Sequence, residues 1–116
     1  MPPFSLRPRI RIVRDDGTIV MGPGKADLLE AIARAGSIRA AAAELGMSYM
    51  RAWTLIRTMN AAFRTPLVEK IRGGTDQGGA RLTDLGKKVL DAYREMEADA
   101  RKAIASHQKR FARFVR

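Results

Sequence analysis

The stretch Ser37 to Met59, SIRAAAAELGMSYMRAWTLIRTM, constrains this chain more than any other. It reads as two short helices around a tight turn at Leu45-Gly46-Met47. Ser37 and Ser48 stand where N-caps belong, each with a hydroxyl able to accept an otherwise unpaired backbone N–H. Ile38, Ala41, Ala42 and Leu45 recur at spacings of three and four, which gives the first helix one apolar face. Gly46 follows the last of them, where a left-handed cap is expected. In the second helix, Ser48 to Phe63, the residues Ala52, Ile56, Met59 and Phe63 share a stripe that must face the core. Met50, Arg51, Thr54, Arg57 and Thr58 take the opposite face, and no acidic residue occurs between Glu44 and Glu69. A polar, cationic outer face on a helix entered through a glycine turn is the layout of a helix-turn-helix recognition helix. Arginines there neutralise phosphates or fork onto guanine edges, and a carboxylate would be repelled. A pair of amphipathic helices with a merely solvated face fits the same residues.

The remainder of the sequence narrows the choice of partner. A length of 116 residues makes one domain with a modest core. Its net charge of +10 points to a polyanion, either nucleic acid or an anionic membrane surface. There is no cysteine, so no disulfide or thiolate metal site, and His107 is the single histidine. No metal or cofactor is expected. No apolar run has the length of a transmembrane helix, and Pro2-Pro3 is unlike a signal peptide. The expectation is a cytoplasmic protein with no membrane partner. Carboxylates are scattered, and no nucleophile stands beside a base, so the reading is not an enzyme.

In chain order, residues 1–8 read as a flexible lead-in. Arg9 to Arg14 alternates arginine with isoleucine as a half-buried strand would, Asp16-Gly17 signals a two-residue hairpin turn, and Thr18 to Met21 returns. Arg7, Arg9, Arg11 and Arg14 would line this ribbon, as DNA contacts or as a basic edge that deters aggregation. Gly22-Pro23-Gly24 breaks the strand. Lys25 to Ala35 then reads as a helix with Ala26, Leu28, Leu29, Ile32 and Ala33 apolar, packing beneath the helix pair or, through Leu29, meeting a second subunit.

After the recognition helix, Pro66 ends the helical pattern. Leu67 to Ile71 and Ala80 to Thr83 read as strands joined by a loop rich in glycine, Gly73 to Gly79. Strand, glycine loop, strand directly after a recognition helix is a wing whose tip can lie close to a sugar-phosphate backbone. Lys70, Arg72 and Arg81 would be its phosphate contacts, with Gly74, Thr75 and Gln77 at the tip. A nucleotide phosphate cradle is disfavoured, because the loop lacks the Gly-Lys-Ser/Thr ending and leads to a strand instead of a helix. Thr83 then caps a long helix whose stripe, Leu85, Val89, Tyr93, Met96, Ala100, Ile104, His107, Phe111 and Phe114, advances by fours and threes. A domain this small cannot bury so long a stripe, so its distal half is expected to pair with a second copy, and the helix over residues 84–116 to serve dimerisation with Leu85, Val89, Tyr93, Met96, Ala100 and Ile104 as contacts. The tail Lys109, Arg110, Arg113, Arg116 adds a basic patch, solvated or lying on a membrane surface.

The segments GSIRAAAAELGMSYMRAWTLIRTMN and PLVEKIRGGTDQGGARLTDLGKKVLDAY resemble the N-terminal DNA-binding domain of the molybdate-responsive ModE regulators, and more distantly the LysR-type winged helix. The resemblance runs from about Lys25 to Tyr93 and rests on Gly36-Ser37-Ile38, Ser48-Tyr49, Ala52-Trp53, Met59-Asn60, Leu67-Val68-Glu69, the wing glycines, and Leu82-Thr83 with Gly86. It implies a mainly α fold with short β hairpins: a winged helix-turn-helix over residues 9–83 that includes an N-terminal β-hairpin, followed by a long C-terminal helix. It further implies a prokaryotic transcriptional regulator that binds double-stranded DNA sequence-specifically as a homodimer. Ser48, Tyr49, Arg51, Thr54 and Arg57 would then touch DNA, with Ser37, Arg39, Met50 and Thr58 beside them, and Trp53 more structural than base-reading. Nothing after Tyr93 resembles the molybdate-binding domains of full-length ModE proteins, so the expectation is a standalone form without an evident small-molecule effector. A non-specific architectural DNA binder, or a winged-helix adaptor for protein or RNA, uses the same fold.

Overall fold

A computed structural model describes residues 4–71 and 79–116. A hairpin of β1 (Ile12–Val13) and β2 (Ile19–Met21) comes first, and α1 (Pro23–Ala35), α2 (Ile38–Glu44) and α3 (Tyr49–Ala62) follow. A second hairpin of β3 (Val68–Lys70) and β4 (Ala80–Leu82) leads into α4 (Asp84–Ala112). The chain is mainly helical with two short antiparallel hairpins, as the sequence indicates.

The helix boundaries follow from local chemistry. Ser37, Ser48 and Thr83 each accept a backbone N–H, from Ala40, Arg51 and Gly86, and open α2, α3 and α4. Each such cap stabilises its helix by about 1 kcal/mol. Between α2 and α3, Gly46 takes φ +67, a left-handed conformation that a β-carbon would strain. Helix α1 starts at Pro23, two residues earlier than the sequence reading, because a proline's fixed φ suits the first helical turn and its missing N–H costs nothing there.

The core lies where α1 meets α2, α3 and α4. Leu28, Leu29, Ile32, Ile38, Ala52, Ile56, Met59 and Leu67 are sealed in it, and Met21 is the anchor from the first hairpin. On α1 the buried alanines are Ala26 and Ala31, whereas Ala33 is exposed, correcting the assignment of Ala33 to the apolar side. Leu29 is completely buried in this subunit's own core, so it is not a contact for a partner. Arg94 of α4 fastens the outer edge of this packing: its guanidinium reaches Asp27 (2.9 Å) and Glu30 (3.1 Å) on α1 and Glu97 (2.9 Å) on α4.

The first hairpin differs from its expected form. Its strands are shorter and its Ile12, Val13 and Ile19 are exposed instead of half-buried. Arg14 pairs with Thr18 through Arg14 N–H to Thr18 O (2.8 Å), leaving a three-residue loop that ends in Gly17 at φ +89. A turn followed by a left-handed glycine is the usual three-residue hairpin solution.

The segment before this hairpin is placed, not loose, from residue 4 onward. Gln108 donates to Phe4 O (2.7 Å) and the Tyr93 hydroxyl donates to Ile10 O (2.5 Å). Residues 4 to 10 extended span about 20 Å, and Tyr93 to Gln108 on a helix spans about 22 Å, so the arm lies alongside α4. Phe4, Leu6, Pro8 and Ile10 are half-buried and Ser5, Arg7 and Arg9 exposed. This arm flanks part of the stripe assigned to a second subunit. Tyr93, 2 % exposed, belongs to the monomer's own packing and is withdrawn from the dimer contacts.

Candidate nucleic-acid interface

Burial of Ala52, Ile56 and Met59 fixes the rotation of α3 about its axis. That rotation leaves Met50, Arg51, Thr54, Arg57 and Thr58 all exposed on one face. Among the described residues, neither Arg51 nor Arg57 pairs with a carboxylate, since none is encoded nearby. Tyr49 and Trp53 are half-buried at the border of this face. Each carries a cation on its ring: the Arg39 guanidinium lies 4.6 Å from the Tyr49 centroid, and Lys70 Nζ lies 4.4 Å from that of Trp53. An aromatic face attracts a cation at this range through its quadrupole. Trp53 is thus a ledge that holds a wing lysine beside the recognition helix, a role the sequence did not disclose because Lys70 is remote along the chain.

The wing stands in register, Val68 opposite Leu82, Glu69 opposite Arg81 and Lys70 opposite Ala80. Arg72, Gly74, Thr75 and Gln77 lie outside the described residues. Arg81, expected as a phosphate contact, forms a 2.7 Å ion pair with Glu69 across the strands, so the unpaired positive charge of this ladder rests on Lys70. Ser37 is also reassigned. It is 8 % exposed, its hydroxyl caps α2, and its backbone bridges to Gly79, so its side chain has no route to a duplex. The Ser48 side chain caps α3 from an exposed position.

Two residues that were only parts of a motif in the sequence prove to hold the start of the wing, one against α3 and the other against α4. Asn60 accepts N–H from Leu67 (2.8 Å) and Val68 (3.2 Å) through Oδ1 and donates to Val68 O (3.2 Å) through Nδ2. Gly86 lets α4 press on the start of the wing: a β-carbon there would sit 2.1 Å from Leu67 O. Thr83 adds its own N–H to Leu67 O (2.9 Å) and its hydroxyl to Pro66 O (2.7 Å). Arg14 of the first hairpin donates to Ala62 O (3.0 Å), placing a cation at the carboxyl end of α3, the favourable sign for a helix terminus.

Among the described residues no group of acidic and histidine side chains could hold a metal ion, and no helix is long and apolar enough to cross a membrane. The fold and this surface together define a winged helix-turn-helix whose outer face is cationic and carboxylate-free. The model of the bacterial regulatory helix-turn-helix proteins of the lysR family matches residues 25–87, and the chain belongs to that family. It is 44 % identical over 89 residues to the molybdenum-pterin-binding protein MopB of Rhodobacter capsulatus, covering 77 % of this chain and 33 % of MopB. To the molybdenum transport protein ModE of Azotobacter vinelandii it is 40 % identical over 96 residues, 83 % of this chain and 35 % of that protein. The chain therefore spans about a third of the length of these relatives. The crystal structure of the CbnR DBD–DNA complex is similar at a TM-score of 0.57 and 27 % identity, over 72 % of this chain and 92 % of that one.

Proposed function

We propose that this protein binds double-stranded DNA sequence-specifically as a homodimer and regulates transcription from the sites it occupies. The observation that carries the proposal is the exposed face of α3, where Arg51 and Arg57 flank Met50 and Thr54 with no carboxylate close by. In this arrangement α3 enters the major groove and the wing lies on the adjacent backbone with Lys70 against a phosphate. Arg39 supports the near end of α3 through Tyr49. The neighbour solved as a DNA complex supports the same docking. Such a partner puts the site of action in the cytoplasm, on the nucleoid. The molybdenum in the relatives' names describes those proteins and carries no argument about this surface.

Dimerisation is proposed through α4. Leu85, Val89, Met96, Ala100 and Ile104 remain half-buried along it, and Phe111, Phe114 and Val115 are 52 %, 73 % and 50 % exposed. Apolar groups left to water at the end of a 29-residue helix favour a second copy.

Selection from a random duplex pool at physiological salt tests the proposal, together with the solution mass. The expected result is a palindromic site with half-sites one or more helical turns apart, bound by a particle of twice 12.8 kDa. Equal binding of all duplexes marks an architectural binder, and no duplex binding marks an adaptor. Lys70→Ala is expected to weaken every duplex alike and to make the slope of log affinity against log salt shallower by about 1.8, the value for two lost phosphate contacts, one from each subunit. Titrations at several salt concentrations measure it.

A further inference from the structure

The outer face of α3 carries a detail that its charge does not explain. Thr54 donates its hydroxyl to Met50 O and Thr58 donates to Thr54 O, each at 2.9 Å. Both side chains are exposed, yet both hydroxyl protons are engaged by the helix's own carbonyls. Each threonine is left with its γ-methyl and acceptor lone pairs to offer a partner. Met50 precedes them at the same four-residue spacing and is 69 % exposed. Residues four apart share a helix face, so Met50, Thr54 and Thr58 form one ridge of methyl groups, bracketed by Arg51 and Arg57.

A single exposed methionine needs no explanation. A methionine continued by two threonines with engaged donors, on the face turned to a groove, does. The major-groove edges of the four bases offer one apolar group, the thymine C5-methyl. Threonines without a free proton give nothing to guanine O6 or N7, which need donors. Met50 lies in the first turn of α3, the part of a recognition helix that reaches furthest into the groove. Its unbranched, polarisable thioether adapts to a methyl surface.

We propose that Met50 and Thr54 are specificity-determining residues that read thymine C5-methyl groups, with Thr58 grazing the far end of the same ridge. The inference rests on the placement of α3 in the major groove given above. It assigns thymines to the base positions under the ridge, between contacts made by Arg51 and Arg57.

The test replaces single thymines of the selected site by deoxyuridine, which removes the methyl and keeps every hydrogen-bonding group. Wild-type protein is expected to lose about fourfold in affinity at one or more positions of each half-site, the effect of one buried methyl. Met50→Gln is expected to bind thymine and deoxyuridine equally at one such position, and Thr54→Ser, which lacks only the methyl, at the neighbouring one. Both substitutions lie on an exposed face, and unchanged circular dichroism confirms the fold. Equal wild-type affinity for both bases overturns the inference, as does an undiminished penalty in both variants. Failure of the groove reading shows separately and earlier, as an initial selection that yields no preferred site.

Discussion

Gly86→Ala is expected to destabilise the fold by about 3 kcal/mol or more, although alanine is the better helix former. The intrinsic gain from replacing glycine in a helix is about 1 kcal/mol. Against it stands a β-carbon 2.1 Å from Leu67 O and 3.0 Å from Leu67 C, backbone atoms that no rotamer change can move. Relief requires α4 to back away from the wing. That movement breaks the bonds of Thr83 to Leu67 O and Pro66 O and uncovers Leu67, which is fully buried. Overpacking typically costs about 1–3 kcal/mol and occasionally more, and a clash this short with fixed backbone belongs to the larger class, which outweighs the propensity gain. For a domain of this size the melting temperature should fall by about 12 °C or more, followed by circular dichroism. An unchanged or raised melting temperature would mean that helix propensity decides the outcome and that the close approach is not real.

Asn60→Ala is the second large effect, about 2–4 kcal/mol, from a half-buried polar side chain. One amide side chain serves three backbone groups at the start of β3. Removing it strands the N–H groups of Leu67 and Val68, residues 0 % and 4 % exposed, and each buried orphan costs about 1–3 kcal/mol. Asn60→Asp keeps the Oδ1 acceptor for both N–H groups but sets a carboxylate oxygen against Val68 O in place of the amide donor, so it should cost less than Asn60→Ala by a margin that widens as acid protonates the carboxylate. Urea denaturation of the two variants separates the cases. Equal loss in both would mean that the acceptor atom is not what matters.

The helix-turn-helix was legible in the sequence because its determinants are local. Serine caps, a left-handed glycine and three-four periodicity each act within one turn, and Ser37, Gly46, Ser48 and the Ala52–Ile56–Met59 stripe are where those rules place them. The exposed set Met50, Arg51, Thr54, Arg57 and Thr58 follows from the same periodicity. What was not legible depends on contacts distant along the chain. Gly86 looks like a weak point of a helix until Leu67 is placed against it. The arm before β1 did carry a signal, since Phe4, Leu6, Pro8 and Ile10 alternate with Ser5, Arg7 and Arg9. That alternation does not mark a strand, because the arm has no strand partner and lies against a helix. Without the arm, Tyr93 reads as one of the stripe residues left over for a second subunit.

The central claim is that the outer face of α3 reads base pairs, and it is tested most directly by comparing Arg51→Ala with wild type on the selected site and on a scrambled duplex. The account predicts a loss of about thirtyfold or more on the selected site, the scale of two bidentate arginine–guanine contacts, one in each half-site. It predicts a much smaller loss on the scrambled duplex, so that the ratio between the two falls. An equal loss on both duplexes would contradict it, since Arg51 would then be one more phosphate contact and α3 would not be reading sequence there.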